Sequence, residues 1–165
     1  MELFFDTETS GLYNFKRSAD DKSQPWIVQL GFILSDETNI YHEGNFIIKA
    51  NGREIEPGAE SVHCISKELS NNIGLYESSV IGFLFDIIDK CDLIICHNYL
   101  FDSNLLSCAF NRCNLRDFDL IFLGKPSYCT MQKSTWLLNL PGKYGKPKWP
   151  KLQELHKFLF NENFL

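Results

Sequence analysis

The chain has 165 residues, 44% of them hydrophobic, which suits one folded domain with a sizeable core and argues against disorder. Its net charge of −5 argues against a protein that holds duplex nucleic acid by bulk electrostatics. No apolar run approaches the ~18 residues of a membrane span, and Met1-Glu2-Leu3-Phe4 is no secretory leader, so a cytoplasmic protein without membrane contact is expected.

The first element is a strand, Leu3-Phe4-Phe5, running into Asp6-Thr7-Glu8. Alternate side chains on a strand share a face, so Asp6 and Glu8 project together and Thr7 points away. Adjacent carboxylates resist joint ionisation. Either they are solvated acids at a strand end, or they hold a hard cation such as Mg²⁺ or Mn²⁺ through oxygen ligands. Thr9-Ser10-Gly11 ends the strand with small residues that admit a substrate close to the backbone.

Residues 13–25 read as a surface loop. Residues 26–34 are a β-rich apolar run, 35–39 a hairpin turn and 40–48 the returning strand. A loop with a Pro57-Gly58 break spans 51–61, and Ser66 is the expected N-cap of a short helix. Val80, Phe83, Leu84, Ile87 and Ile88 recur at helical spacing within 78–90. Residues 92–96 read as a parallel strand buried on both faces. They lead into His97-Asn98-Tyr99-Leu100-Phe101-Asp102 and a helix to about Arg112.

Residues 120–123 suggest an edge strand, and 127–138 a helix. A Gly/Pro/Lys-rich loop covers 141–150, and the helix 151–160 should turn Leu152, Leu155 and Leu159 inward. Lys143, Lys146, Lys148, Lys151 and Lys157 make this last part basic. The six cysteines form no C-x-x-C pair and read as reduced, mostly buried thiols. This order of elements defines an α/β class, a mixed sheet with helices on its faces. Asp102 follows a buried strand at the start of a helix, the usual place for a site in open α/β sheets. It serves there as a site acid or as an ordinary first-turn carboxylate.

Taken together, these stretches resemble the DnaQ-like (DEDDh-type) 3′–5′ exonucleases. Residues 5–12 are similar to their first motif and 97–102 to their second. Residues 25–31 resemble the family's second strand. Val62-His63-Cys64-Ile65-Ser66 resembles a family loop in which glycine is usual at the place of Cys64. Residues 129–131 and 148–155 have counterparts too.

The resemblance implies a ribonuclease H-like fold, with a five-stranded mixed sheet flanked by helices, and two Mg²⁺ or Mn²⁺ ions. Asp6, Glu8 and Asp102 would be the catalytic metal ligands, converging on one pocket, with Glu8 also supporting the attacking water. Thr9 and Leu12 would meet the terminal nucleotide. His63 and Ile65 would lie against its base or sugar, and Asn98 and Phe101 would shape the pocket floor. The implied activity is metal-dependent hydrolysis at the single-stranded 3′ end of DNA or RNA, with a DNA polymerase or another replication or repair protein as partner.

The family's third motif, a His followed five residues later by an Asp, has no counterpart: no aspartate follows Asp119, and His156 comes too early and reads as a surface residue. Residues 1–165 are thus expected to form a single exonuclease-like domain, C-terminally truncated and lacking the last family helix, with the surface beside the first strand uncovered. The alternative is a catalytically degenerate fold that binds nucleic-acid ends or a protein.

Overall fold

A computed structural model describes residues 1–163. The sheet contains β1 (Glu2–Thr9), β2 (Ile27–Ser35), β3 (Ile40–Ile47), β4 (Leu93–Cys96) and β5 (Ser127–Cys129) in the order β3-β2-β1-β4-β5. β1, β2 and β3 are antiparallel neighbours, whereas β4 and β5 run parallel to β1. The helices are α1 (Pro57–His63), α2 (Lys67–Ile73), α3 (Glu77–Lys90), α4 (Tyr99–Arg112), α5 (Arg116–Gly124), α6 (Thr130–Leu138) and α7 (Leu152–Phe160). The five-stranded mixed sheet with flanking helices is the expected architecture.

Strict alternation on β1 decides what each face becomes. Leu3, Phe5, Thr7 and Thr9 are buried, whereas Glu2, Phe4, Asp6 and Glu8 lie on the other face. β2 follows in register, pairing Phe5 with Phe32 and Thr7 with Leu30 on the buried side. That side packs against Val80, Ile81, Leu84, Ile87 and Ile88 of α3 and against Leu105, Leu106 and Phe110 of α4, in one continuous core. Phe32, Phe46 and Phe83 form an aromatic group with ring centroids 5.9–6.2 Å apart. Gly44 makes room for it: a Cβ there would lie 2.6 Å from the Phe32 ring.

The 35–39 turn closes as expected, with Asp36 accepting from Thr38 N–H, Asn39 N–H and the Tyr41 hydroxyl. Ser66 caps α2 by accepting from Leu69 N–H.

Several expectations are corrected. The stretch 51–61 is not all loop, because Pro57 sits at the first turn of α1, where its missing N–H costs nothing. The run 120–123 is helical, not an edge strand. Phe118 and Phe122, four residues apart, turn one helical stripe to the core and leave Leu120, Ile121 and Leu123 exposed. The edge strand is β5, so α6 begins at Thr130 rather than Ser127. On β4, Ile94 and Cys96 are buried but Leu93 and Ile95 only half-buried. The open face of the sheet carries Phe4 and Ile33, each 38% exposed. Only Leu155 of the α7 leucines is buried. His156 is half-buried rather than fully exposed and packs against Phe160, ring centroids 4.9 Å apart.

Cys64 ends α1 in the left-handed region, φ 60° and ψ 21°. A side chain there costs about 1 kcal/mol or more, and glycine avoids that strain. Cys64→Gly is therefore expected to raise the unfolding free energy by up to about 1 kcal/mol after glycine's own entropic cost, seen as a higher urea midpoint. A lowered midpoint would show that the Cys64 side chain contributes more than its backbone loses.

Candidate active site

β1 runs several residues past the point where β4 stops pairing with it: the β1–β4 ladder covers only residues 2–4. Asp6, Thr7 and Glu8 therefore extend beyond that ladder. The register of β1 against β2 shifts between Glu8 and Thr9. Such an irregularity bends the strand and re-aims the residues after it. Ser10 N–H then donates to Trp26 C=O (2.9 Å), Trp26 N–H donates to the Ser10 hydroxyl (3.0 Å), and the Thr9 hydroxyl donates to Gly11 C=O (2.8 Å).

The vacated edge of β1 is taken by α4. Asp102, in its first turn, is only 3% exposed. Its Oδ1 accepts from the Thr7 hydroxyl at 2.6 Å and from Thr7 N–H at 3.2 Å. Its Oδ2 accepts from the Cys96 thiol at 3.4 Å. Thr7, the residue that alternation turns away from the acids, thus clasps the third acid.

All three carboxyls are harder to ionise than usual. Burial pushes Asp102 up to about 7; the Thr7 hydroxyl opposes this and the charge of Asp6 adds to it. Asp6 is raised by its apolar surroundings, with the His97 ring and Thr7 N–H pulling the other way. Glu8 is raised by burial and then by Asp6, and His63 opposes. Asp6 is therefore the electrostatic centre, felt by both other acids.

Asp6 also lines a cleft of about 830 Å³ on the open sheet face, walled by Phe4, Ile33, Ile95, His97, Thr130 and Leu152 among others. Gly31 pairs with Asp6 across the strands, and open space lies where its Cβ would be. His97 is fixed at the end of β4. Pro150 C=O, 3.0 Å from Nε2, can only accept, so Nε2 carries the proton and Nδ1 accepts from the Thr130 hydroxyl at 2.9 Å. This ring joins β4, α6 and the start of α7 at the cleft.

The other expected residues are placed as follows. Leu12 is 83% exposed, open to any ligand. His63 lies within electrostatic reach of Glu8, and its Nδ1 accepts from Ile65 N–H at 3.0 Å. Ile65 itself is buried in the core and leaves little surface for a nucleotide. Asn98 begins α4 in the left-handed region (φ 70°), a conformation asparagine tolerates. Phe101 packs against the core, and neither it nor Asn98 lines the cleft at Asp6. Among the described residues, no three His, Cys, Asp or Glu side chains are grouped closely enough to hold a metal ion. Thr7, Cys96 and His97 were not expected in the site. Alternation turns Thr7 away from the acids, but its contact with Asp102 and the contacts of His97 with Thr130 and Pro150 join distant elements that spacing does not reveal.

The donor set suits a hard divalent cation in chemistry and charge. Asp6 and Glu8 offer oxygen ligands on one face, and a dication would offset the burial that raises all three acids and the Asp6 charge felt by Glu8 and Asp102. Asp102 Oδ2, held only by a weak thiol donor, is the oxygen free to take part.

The fold is that of ribonuclease H-like nucleases, a five-stranded mixed sheet flanked by helices. Solved structures of exonuclease I share it. A product-bound exonuclease I has TM-score 0.70 and 21% identity over 94% of this chain and 37% of that one. The apo enzyme gives 0.72 and 19%, over 94% and 36%. The zinc-bound complex of E. coli exonuclease I with single-stranded DNA gives 0.71 and 20%, over 94% and 34%. The chain spans little more than a third of these proteins. It matches no protein-family model and no curated protein. Among the described residues, no helix is long and apolar enough to cross a membrane.

The raised acids carry a pH signature. A carboxyl whose folded value exceeds its unfolded one contributes stability below the unfolded value and loses it as pH rises through the folded value. Metal-free protein should lose a few kcal/mol between about pH 4 and 7 through Asp102. Asp102→Asn, which keeps the acceptor for Thr7, should flatten that slope in urea melts across this range. Parallel wild-type and variant profiles would contradict this account of Asp102.

Proposed function

We propose that this chain is the nuclease domain of a metal-dependent 3′–5′ exonuclease acting on single-stranded nucleic acid. The observation that supports it most is that Asp6 and Glu8 share one face at the end of β1 while Thr7 between them holds Asp102, in the fold that exonuclease I shares. In this reading Asp6, Glu8 and Asp102 would hold Mg²⁺ or Mn²⁺. A divalent cation there supplies positive charge to a crowded phosphate and an acidified water for attack at neutral pH.

The protein's own groups do the rest. Thr7 holds Asp102 so that one carboxylate oxygen stays in place. Glu8, with the His63 ring near it, would support the attacking water. Thr9 and exposed Leu12 border the approach of a 3′-terminal nucleotide, and Asn98 and Phe101 support α4 beneath it. A replication or repair protein that presents single strands is the partner this reading calls for, in the cytoplasm.

A second reading has its own support. Both oxygens of Asp102 have donors within the protein, and the three acids are not gathered into a cage. A domain so arranged would bind strand ends without cutting them.

A labelled single strand incubated with the protein and Mn²⁺ separates the two. The first reading predicts stepwise loss of 3′ nucleotides, abolished by EDTA and reduced at least about 100-fold by Asp6→Asn. It also predicts a Mn²⁺-dependent rise in melting temperature in the wild type that Asp6→Asn removes. An intact strand that the protein nevertheless retains would favour the binding module. An intact strand with no binding and no metal effect on stability would refute both.

A further inference from the structure

A second cleft, of about 670 Å³, shares no residue with the one at Asp6. It lies where the segment after β3, the start of α3, the α4–α5 junction and the loop after β1 come together. Its walls carry Lys22, Lys49, Arg53, Arg112 and Arg116 against Asp20, Asp21 and Glu77. A net positive cleft is unexpected on a chain of charge −5.

Its base is rigid. Glu77 receives Arg53 Nη1 at 2.7 Å and Arg112 Nη2 at 2.9 Å, all three side chains being largely buried. Arg53 also lies 4.2 Å over the Trp26 ring and donates to Ala50 C=O and Lys49 C=O. Arg112 reaches Pro25 C=O. One carboxylate cannot neutralise two guanidinium groups, so this base keeps a fixed positive charge.

Above it the cations are uncommitted. Among the described residues Lys22, Lys49 and Arg116 form no ion pair, and Asp21 is turned towards Arg17 and Ser23. Asn51, Asn111, Asn114 and Ser78 add neutral polar groups. Tyr76, 60% exposed, offers a flat apolar surface with Lys49 Nζ 5.5 Å from its ring centroid.

Uncommitted cations around a pre-ordered guanidinium pair suit a phosphate, and an aromatic face beside them suits a base or sugar. We propose that this cleft binds the phosphate of a nucleotide, with the attached base or sugar against Tyr76. The phosphate is of the same chemistry whether the nucleotide is free or part of a strand.

The test is a titration of the full chain, in low salt with EDTA present, using inorganic phosphate, dTMP and an eight-residue oligothymidylate as probes. EDTA removes any cation from the Asp6 site, so the result does not depend on the nuclease reading. Amide shifts in nuclear magnetic resonance spectra are expected at Lys49, Asn51, Tyr76 and Arg116. Lys49→Ala with Arg116→Ala should weaken dTMP binding by about tenfold or more. Tyr76→Ala should weaken dTMP more than phosphate. Binding of dTMP but not the oligomer identifies a free nucleotide; binding of both identifies a strand. The absence of shifts in this cleft with every probe, or equal affinity in the double variant with its melting temperature preserved, overturns the proposal.

Discussion

The clasp of Thr7 on Asp102 is the contact on which the rest of the site depends. It spans 95 positions of sequence and ties the free edge of the central strand to the first turn of α4. Removing the hydroxyl would leave a carboxyl 3% exposed with only the Thr7 N–H and a thiol as donors, a loss of about 1–3 kcal/mol for a buried polar group. It would also release the only acid that comes from a different element than Asp6 and Glu8. The clasp works because β1 continues past its ladder with β4. A longer β4 would satisfy Thr7 N–H within the sheet and take that donor from Asp102.

The alternation that sends Thr7 inward sends Asp6 and Glu8 outward, so one strand provides both the anchor and two of the acids. The burial that orders Asp102 also raises its carboxyl, and Asp6 raises it further. The resulting strain is electrostatic, and a cation or a proton relieves it. Stability and ligand binding are therefore opposed at this point: neutralising Asp102 should strengthen the metal-free fold and weaken the site.

Much of this is legible in the sequence, because the decisive patterns are local. The period-two alternation of residues 3–9, the helical spacing from Val80 to Ile88 and the Ser66 cap each specify their element without tertiary help. The errors fall where local pattern is ambiguous. A four-residue apolar run at 120–123 fits a strand or a helix, and only the packing of Phe122 selects the helix. The leucines of α7 have helical spacing, yet the structure buries just one of them. Asn98, Ile65 and Phe101 were assigned roles by resemblance, and their backbone conformation or packing accounts for them as well. Thr7, His97 and Cys96 enter the site through contacts between distant elements, which spacing alone does not reveal. The same holds for the Glu77 cleft, whose arginines come from positions 53 and 112.

We propose that the acids at the end of β1 hold a divalent cation. Crystals soaked in Mn²⁺, with anomalous scattering recorded at the manganese edge, test it most directly. The account predicts manganese within about 2.2 Å of an Asp6 carboxylate oxygen, with Glu8 or Asp102 Oδ2 as a further ligand. Manganese ordered only at other carboxylates, with Asp102 still held between Thr7 and Cys96, would contradict it.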